Sequence, residues 1–178
     1  MNRELGASVA FIIICYNKCM QLPYKTGFSF GITSGIITAL GIMMGLFSGT
    51  HLSYVVAGGI LTVAIADAFS DAMAMHMSQE AQLKYSAKEM WQATISTFVA
   101  KFVFAAIFML PVMLFNLNTA IVVNTAGGFI LLAVVSFIIA EGESKKPWRL
   151  VVEHLFIAII ILFATYFAGV WIDFIFNR

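Results

Sequence analysis

The sequence predicts an all-α integral membrane protein with five transmembrane helices. Three observations carry that prediction. Of the 178 residues, 61% are hydrophobic and 11% are charged, whereas ordinary soluble domains run at about 45–50% apolar and about 25% charged. Five stretches reach the roughly 20 mostly apolar residues that a spanning helix needs. Lys and Arg gather in alternate connections between those stretches, the pattern that sets membrane orientation. Mean hydropathy is +0.95. A net charge of +1 leaves no footprint for nucleic acid, and the length suits one domain.

Residues 1–26 read as a cytoplasmic or interfacial N-terminal segment. Its apolar run, LGASVAFIIIC, is too short to span and lacks a small-x-small cleavage site after it. Cys15 and Cys19 lie four apart on one helix face. Two half-buried thiols are the plainer reading, because the pair lacks partner metal ligands.

Residues 27–178 form the transmembrane domain, with spans expected at Gly27–Ser48, Leu52–Met75, Ala93–Phe115, Thr119–Ala140 and Leu150–Phe174. The breaks FSGTHLSY and FNLNT are short and carry no Lys or Arg. Arg3, Lys18 and Lys25 precede the first span, Lys84 and Lys88 follow the second, and Lys145, Lys146 and Arg149 follow the fourth. Five spans put all of them on one side, with the N-terminus cytoplasmic and the C-terminus opposite. The second helix is expected to continue into the cytoplasm over about 76–91, since MSQEAQLKYSAKEMW has no Gly or Pro. Trp91, Trp148 and Trp171 fall at expected interfaces, as an aromatic belt does. Asn116, Asn118 and Asn124 are expected to satisfy backbone groups at helix ends.

In the first span, Gly27, Gly31 and Gly35 form a small-residue stripe that lets another backbone approach closely. Two readings stay open: a tight contact within one subunit, or a subunit interface or pathway lining. In the second span, Asp67 and Asp71 interrupt an apolar run. They lie four apart, so they share a helix face with Met75. A charged Asp near a bilayer centre costs about 2.5–3.5 kcal/mol on insertion scales, and intramembrane acids tend to be functional. Ser34 and Thr38 of the first span are candidates to face them.

The segments GITSGIITALGIMMGLFSG, AGGILTVAIADAFSDAMAMHMSQEAQ, TFVAKFVFAAIFMLPVMLF and LFIAIIILFATYFAGVWI, in this order and spacing, resemble the vacuolar iron transporter family. The resemblance covers nearly the whole chain after about Thr26. It implies five spans, a homodimer, and proton-coupled transport of Fe²⁺ or Mn²⁺ out of the cytoplasm. Two departures are visible. Ser34 stands where the family has an acid in its first span. The long acidic insert between spans two and three is also absent, as in short family members. Asp67 and Asp71 stand where the family has a small residue and a methionine, which implies that the carboxylate ligands have moved to span two. The departure bears on metal selectivity.

The expected ion pathway is Asp67, Asp71, Met75, Ser34 and Thr38, with His76, Glu80 and Glu89 as a cytoplasmic entry. Carboxylates and imidazole suit Fe²⁺ and Mn²⁺, and thioether sulfur tolerates Fe²⁺. Paired subunits would bring four carboxylates around a two-fold axis. Neighbouring carboxylates without metal share protons, which would couple metal to proton exchange. Blander readings stand beside these. Asp67 pairs with Lys101, which lies at matching depth, although one lysine does not neutralise both acids. Met73, Met75 and Met77 face lipid or core, His76 is a wet surface histidine, and Glu80 and Glu89 are solvated. Glu153 and His154 anchor an interface, His51 has no role, and Asp173 sits near the far interface.

The expected partners are the lipid bilayer, divalent metal ions, protons and a second copy, without a resident cofactor. The expected location is a prokaryotic cell membrane, with an organelle membrane as the alternative. A non-transporting scaffold with structural Asp–Lys pairs is the competing function. No enzyme motif appears, and an intramembrane hydrolase built on Asp67 and Asp71 is disfavoured, because carboxylate dyads draw on two separate elements.

Overall fold

The computed structural model describes residues 22–142 and 146–176, and these are helical throughout apart from short turns. The helices are α1 (Leu22–Thr50), α2 (Ser53–Glu80), α3 (Ala87–Ala106), α4 (Met109–Leu114), α5 (Leu117–Gly142) and α6 (Pro147–Phe176). With α3 and α4 forming one segment, five helices among the described residues are long and apolar enough to cross a membrane. Cys15, Cys19 and the short apolar run before them lie outside the described residues.

The helices bury a core that includes Ile36, Leu40, Met43, Val56, Ile60 and Leu132. Large apolar side chains also point outward, including Phe69, Phe156, Phe163 and Phe167. A helix that is apolar on every side fits a lipid surround. Met73 and Met77 are among the outward residues, as expected for lipid-facing methionines. Trp91, Trp148 and Trp171 are exposed near helix ends.

Three boundaries differ from expectation. The first helix is already formed at Leu22, the first described residue, rather than from Gly27, and Pro23 is tolerated near a helix start. The second helix stops at Glu80, so its extension past Met75 is one turn and does not run to residue 91. The chain turns there through Leu83, at a φ of 55°. The next helix starts at Ala87 because Ser86 and Glu89 form a capping box: Ser86 Oγ accepts from the Glu89 N–H at 3.4 Å, and Glu89 accepts from the Ser86 N–H at 2.8 Å. The interruption between α3 and α4 traces to Pro111. Its ring clashes with the carbonyl four residues back, at Ile107, where the helix breaks. The Asn124 amide of α5 donates to the Phe108 carbonyl at 2.8 Å. Asn124 thus lies inside a helix and repairs a neighbour's break, whereas Asn116 caps α5 by accepting from the Thr119 N–H at 3.0 Å.

The glycine stripe makes a contact within the chain. Gly27, Gly31 and Gly35 lie against α3 so closely that an added Cβ would sit 2.2 Å from the Ala93 oxygen, 2.6 Å from that of Thr97 and 2.9 Å from that of Lys101. Ser96 and Thr97 donate hydroxyls to the Tyr24 and Gly27 carbonyls, each at 3.2 Å, and so fasten α3 to α1. Farther along α1, Gly45 and Gly49 bring α6 close, and Ser48 donates to the Tyr166 carbonyl at 2.9 Å. Without a hydrophobic force between helices in lipid, this close packing with interhelical hydrogen bonds is what holds them together.

A side chain at Gly31 must push α1 from α3. Gly31→Leu is expected to cost about 1–3 kcal/mol or more, read as a lower unfolding midpoint in detergent. Gly58 has nothing within 4 Å of an added Cβ, so Gly58→Ala is expected to be neutral or to stabilise by about 0.5–1 kcal/mol through the helix preference of alanine. Equal effects at both positions would contradict the packing account.

Candidate ion-binding site

Three helices bring four polar side chains together at the middle of the bundle. The close α1–α3 approach at Gly31 and Gly35 sets Lys101 beside Ser34. From α2, Asp67 and Asp71 reach the same point. The Lys101 ammonium touches Oδ2 of both: it is 2.6 Å from Asp67, and it forms a short ion pair with Asp71. Ser34 Oγ accepts from Lys101 Nζ at 2.9 Å and donates to Asp71 Oδ2 at 2.9 Å. The hydroxyl therefore bridges base and acid.

Burial is uneven. The Lys101 side chain is 2% exposed, whereas Asp67 is 32% and Asp71 21% exposed. The lysine is enclosed behind the acids, and the acids form the open edge. The expected pairing of Asp67 with Lys101 is present. The lysine also pairs with Asp71, which reading by depth alone did not supply. Lys101 is fully buried, as are Thr97, Ala100 and Ala105 on the same helix. With all three groups charged, the cluster carries one net negative charge.

The other expected pathway residues separate. Thr38 lies one turn beyond Ser34 and lines an apolar groove of about 570 Å³ between α1 and α6, together with Gly41, Gly45, Gly49, Val63 and Thr165. Val63 lies one turn from Asp67, so the groove begins beside the cluster and runs to the far end of α1. Met75 lies one turn from Asp71 in the other direction, with the Gln79 amide 3.9 Å from its sulfur. Gln79 is buried, and its Oε1 has no hydrogen-bond partner.

The proposed entry residues do not converge. His76 is half-buried rather than a wet surface side chain; its Nδ1 is 2.9 Å from Thr94 Oγ1, and its ring lies 4.9 Å from that of Trp91. Thr94 donates its hydroxyl to the Met90 carbonyl at 2.8 Å, which leaves the His76 Nδ1 as the donor. Glu80 is exposed at the end of α2. Glu89 belongs to α3 rather than to an extension of α2, and it is held by Ser86. Among the described residues, no three His, Cys, Asp or Glu side chains come together as a metal cage. His154 also does more than anchor an interface: its Nδ1 is 2.7 Å from Ser136 Oγ, which ties α6 to α5.

Removing one partner of a buried ion cluster strands the others. Lys101→Met is expected to destabilise the protein by on the order of 3 kcal/mol, measured by denaturant unfolding in detergent. Asp67→Asn and Asp71→Asn added to that variant are expected to restore most of the loss. A single variant as stable as the wild type would mean that the cluster does not hold α2 against α3.

No protein-family model matches the chain, no curated protein matches it, and no solved structure matches it.

Proposed function

We propose that this chain is a proton-coupled carrier of divalent metal ions, Fe²⁺ or Mn²⁺, that exports them from the cytoplasm. The observation that carries the reading is the surplus acid: two partly open carboxylates share one buried lysine. A net negative charge at bilayer depth is expensive, and a bound cation offsets it. Carboxylate oxygens suit Mn²⁺ and Fe²⁺, and the Met75 thioether one turn away is a donor that Fe²⁺ tolerates. When the cargo leaves, the Lys101 ammonium pairs again with the acids and a proton offsets the one negative charge left over, which couples the two fluxes.

The groove from Thr38 to the far end of α1 is apolar apart from Thr38, Thr50 and Thr165, so by itself it offers no ion route. Lys25, Lys84, Lys88, Lys146 and Arg149 all sit at the other end of the bundle, which the positive-inside rule assigns to the cytoplasm. Since the described residues offer no cage of three ligands, the cargo completes its shell with water, hydroxyls or a second copy. A second copy packed on the edge that opens Asp67 and Asp71 would bring four carboxylates together, and we propose that homodimer. The membrane is a prokaryotic cell membrane in this reading, or else that of an organelle.

A second reading is a non-transporting scaffold. The contact of Lys101 with both acids favours it, since that contact neutralises one of the two negative charges and holds α2 against α3. Flux separates the two. Proteoliposomes loaded with a divalent-sensitive dye are given Mn²⁺ or Fe²⁺ under a pH gradient. The carrier reading expects flux that follows the gradient and falls at least about 100-fold in Asp71→Asn, as loss of a buried charged ligand implies. A folded wild type without flux for either ion would leave the scaffold reading standing.

A further inference from the structure

We infer that Lys101 is a tethered competitor cation that restricts the Asp67–Asp71 site to divalent ions. The inference rests on the carrier reading and adds what decides the charge of the cargo. Both ion pairs use the Oδ2 atoms, one from each aspartate, so the ammonium occupies the bridging position that a shared cation would take. A small cation entering between the acids must displace it.

Charge then discriminates. A monovalent cation in the bridging position replaces one positive charge with another, so it gains no attraction over the ammonium it removes. It also competes with a group whose local concentration is fixed by a covalent tether. A divalent cation at the same distance feels twice the attraction to each carboxylate. The exchange therefore favours divalent cargo.

The displaced ammonium keeps one partner. Ser34 Oγ already accepts from it at 2.9 Å, and an uncharged hydroxyl keeps hold of Lys101 without adding a third acid. An aspartate at position 34 would make the resting cluster more negative and bind the lysine more tightly. The groups facing Lys101 from the packed helices are Asp67 and Asp71 of α2 and Ser34 of α1. The arrangement matches a lysine enclosed behind the acids, at 2% exposure, with the acids on the open edge.

The test measures Mn²⁺ binding to the purified protein, from the loss of the free-ion electron paramagnetic resonance signal, and Mn²⁺ flux in proteoliposomes. Each is titrated with NaCl against the chloride of a bulky organic cation at equal ionic strength. The wild type is expected to keep its apparent Mn²⁺ affinity whichever salt is present. In Lys101→Gln, Na⁺ is expected to weaken Mn²⁺ binding by about tenfold or more, since the site now carries two uncompensated charges. Lys101→Arg keeps the tethered charge and is expected to restore the insensitivity.

Competition by Na⁺ in the wild type would overturn the inference, and that arm needs no variant to fold. So would a folded Lys101→Gln that resists Na⁺ as the wild type does, or a Lys101→Arg that behaves like Lys101→Gln. A wild type that neither binds nor moves Mn²⁺ defeats the carrier reading itself. A wild type that carries Mn²⁺ but yields to Na⁺ defeats only the role of Lys101.

Discussion

The approach of α1 to α3 is the constraint on which the rest depends. Three glycines let the α1 backbone lie against the Ala93, Thr97 and Lys101 carbonyls, and hydroxyls of Ser96 and Thr97 fasten the contact. The same approach carries the Lys101 backbone to the level of Ser34. The buried lysine ends on two carboxylates of α2. A bulkier α1 would keep its helical propensity and its hydropathy. It would still lose the position of the one lysine that holds both acids.

That chain of dependence links packing to charge. Burying a lysine costs several kcal/mol unless it is well paired, and here two carboxylates and a hydroxyl do the pairing. The acids are not enclosed in return. Asp67 and Asp71 stay partly open, and the groove that Val63 and Thr38 line begins one helical turn away. An ion cluster closed on every side would act mainly as a staple. One with partly exposed acids and a buried base leaves its acids within reach, and this asymmetry is what the carrier reading uses.

Much of the fold was legible because lipid leaves few solutions: a backbone in hydrocarbon must satisfy itself, so long apolar runs become helices. Five spans could be counted from hydropathy and from the placement of Lys and Arg. The absence of Gly and Pro does not mark continuity past α2, because Ser86-Ala-Lys-Glu89 spells a capping box that starts a new helix. The break before α4 was signalled by Pro111, but its repair by Asn124 depends on a residue of another helix. In the site, the match in depth pointed to Asp67 and Lys101. The sharing of Lys101 with Asp71 and Ser34 depends on helix rotation and on the glycine contact, which spacing along one helix does not encode. Thr38, His76, Glu80 and Glu89 were grouped by chemistry and by nearness in sequence. Helix direction and caps distribute them elsewhere. The link between His154 and Ser136 had no local signal at all, since its partners lie on two helices.

The central claim is that a divalent cation takes the position between Asp67 and Asp71 that the Lys101 ammonium holds at rest. An anomalous difference map from crystals of the protein soaked in Mn²⁺ tests it most directly. The account predicts a peak within ligand distance of both aspartate Oδ2 atoms, with the lysine withdrawn toward Ser34. Strong Mn²⁺ peaks elsewhere in the bundle, with the three-way contact of Lys101 and the two aspartates unchanged, would contradict it.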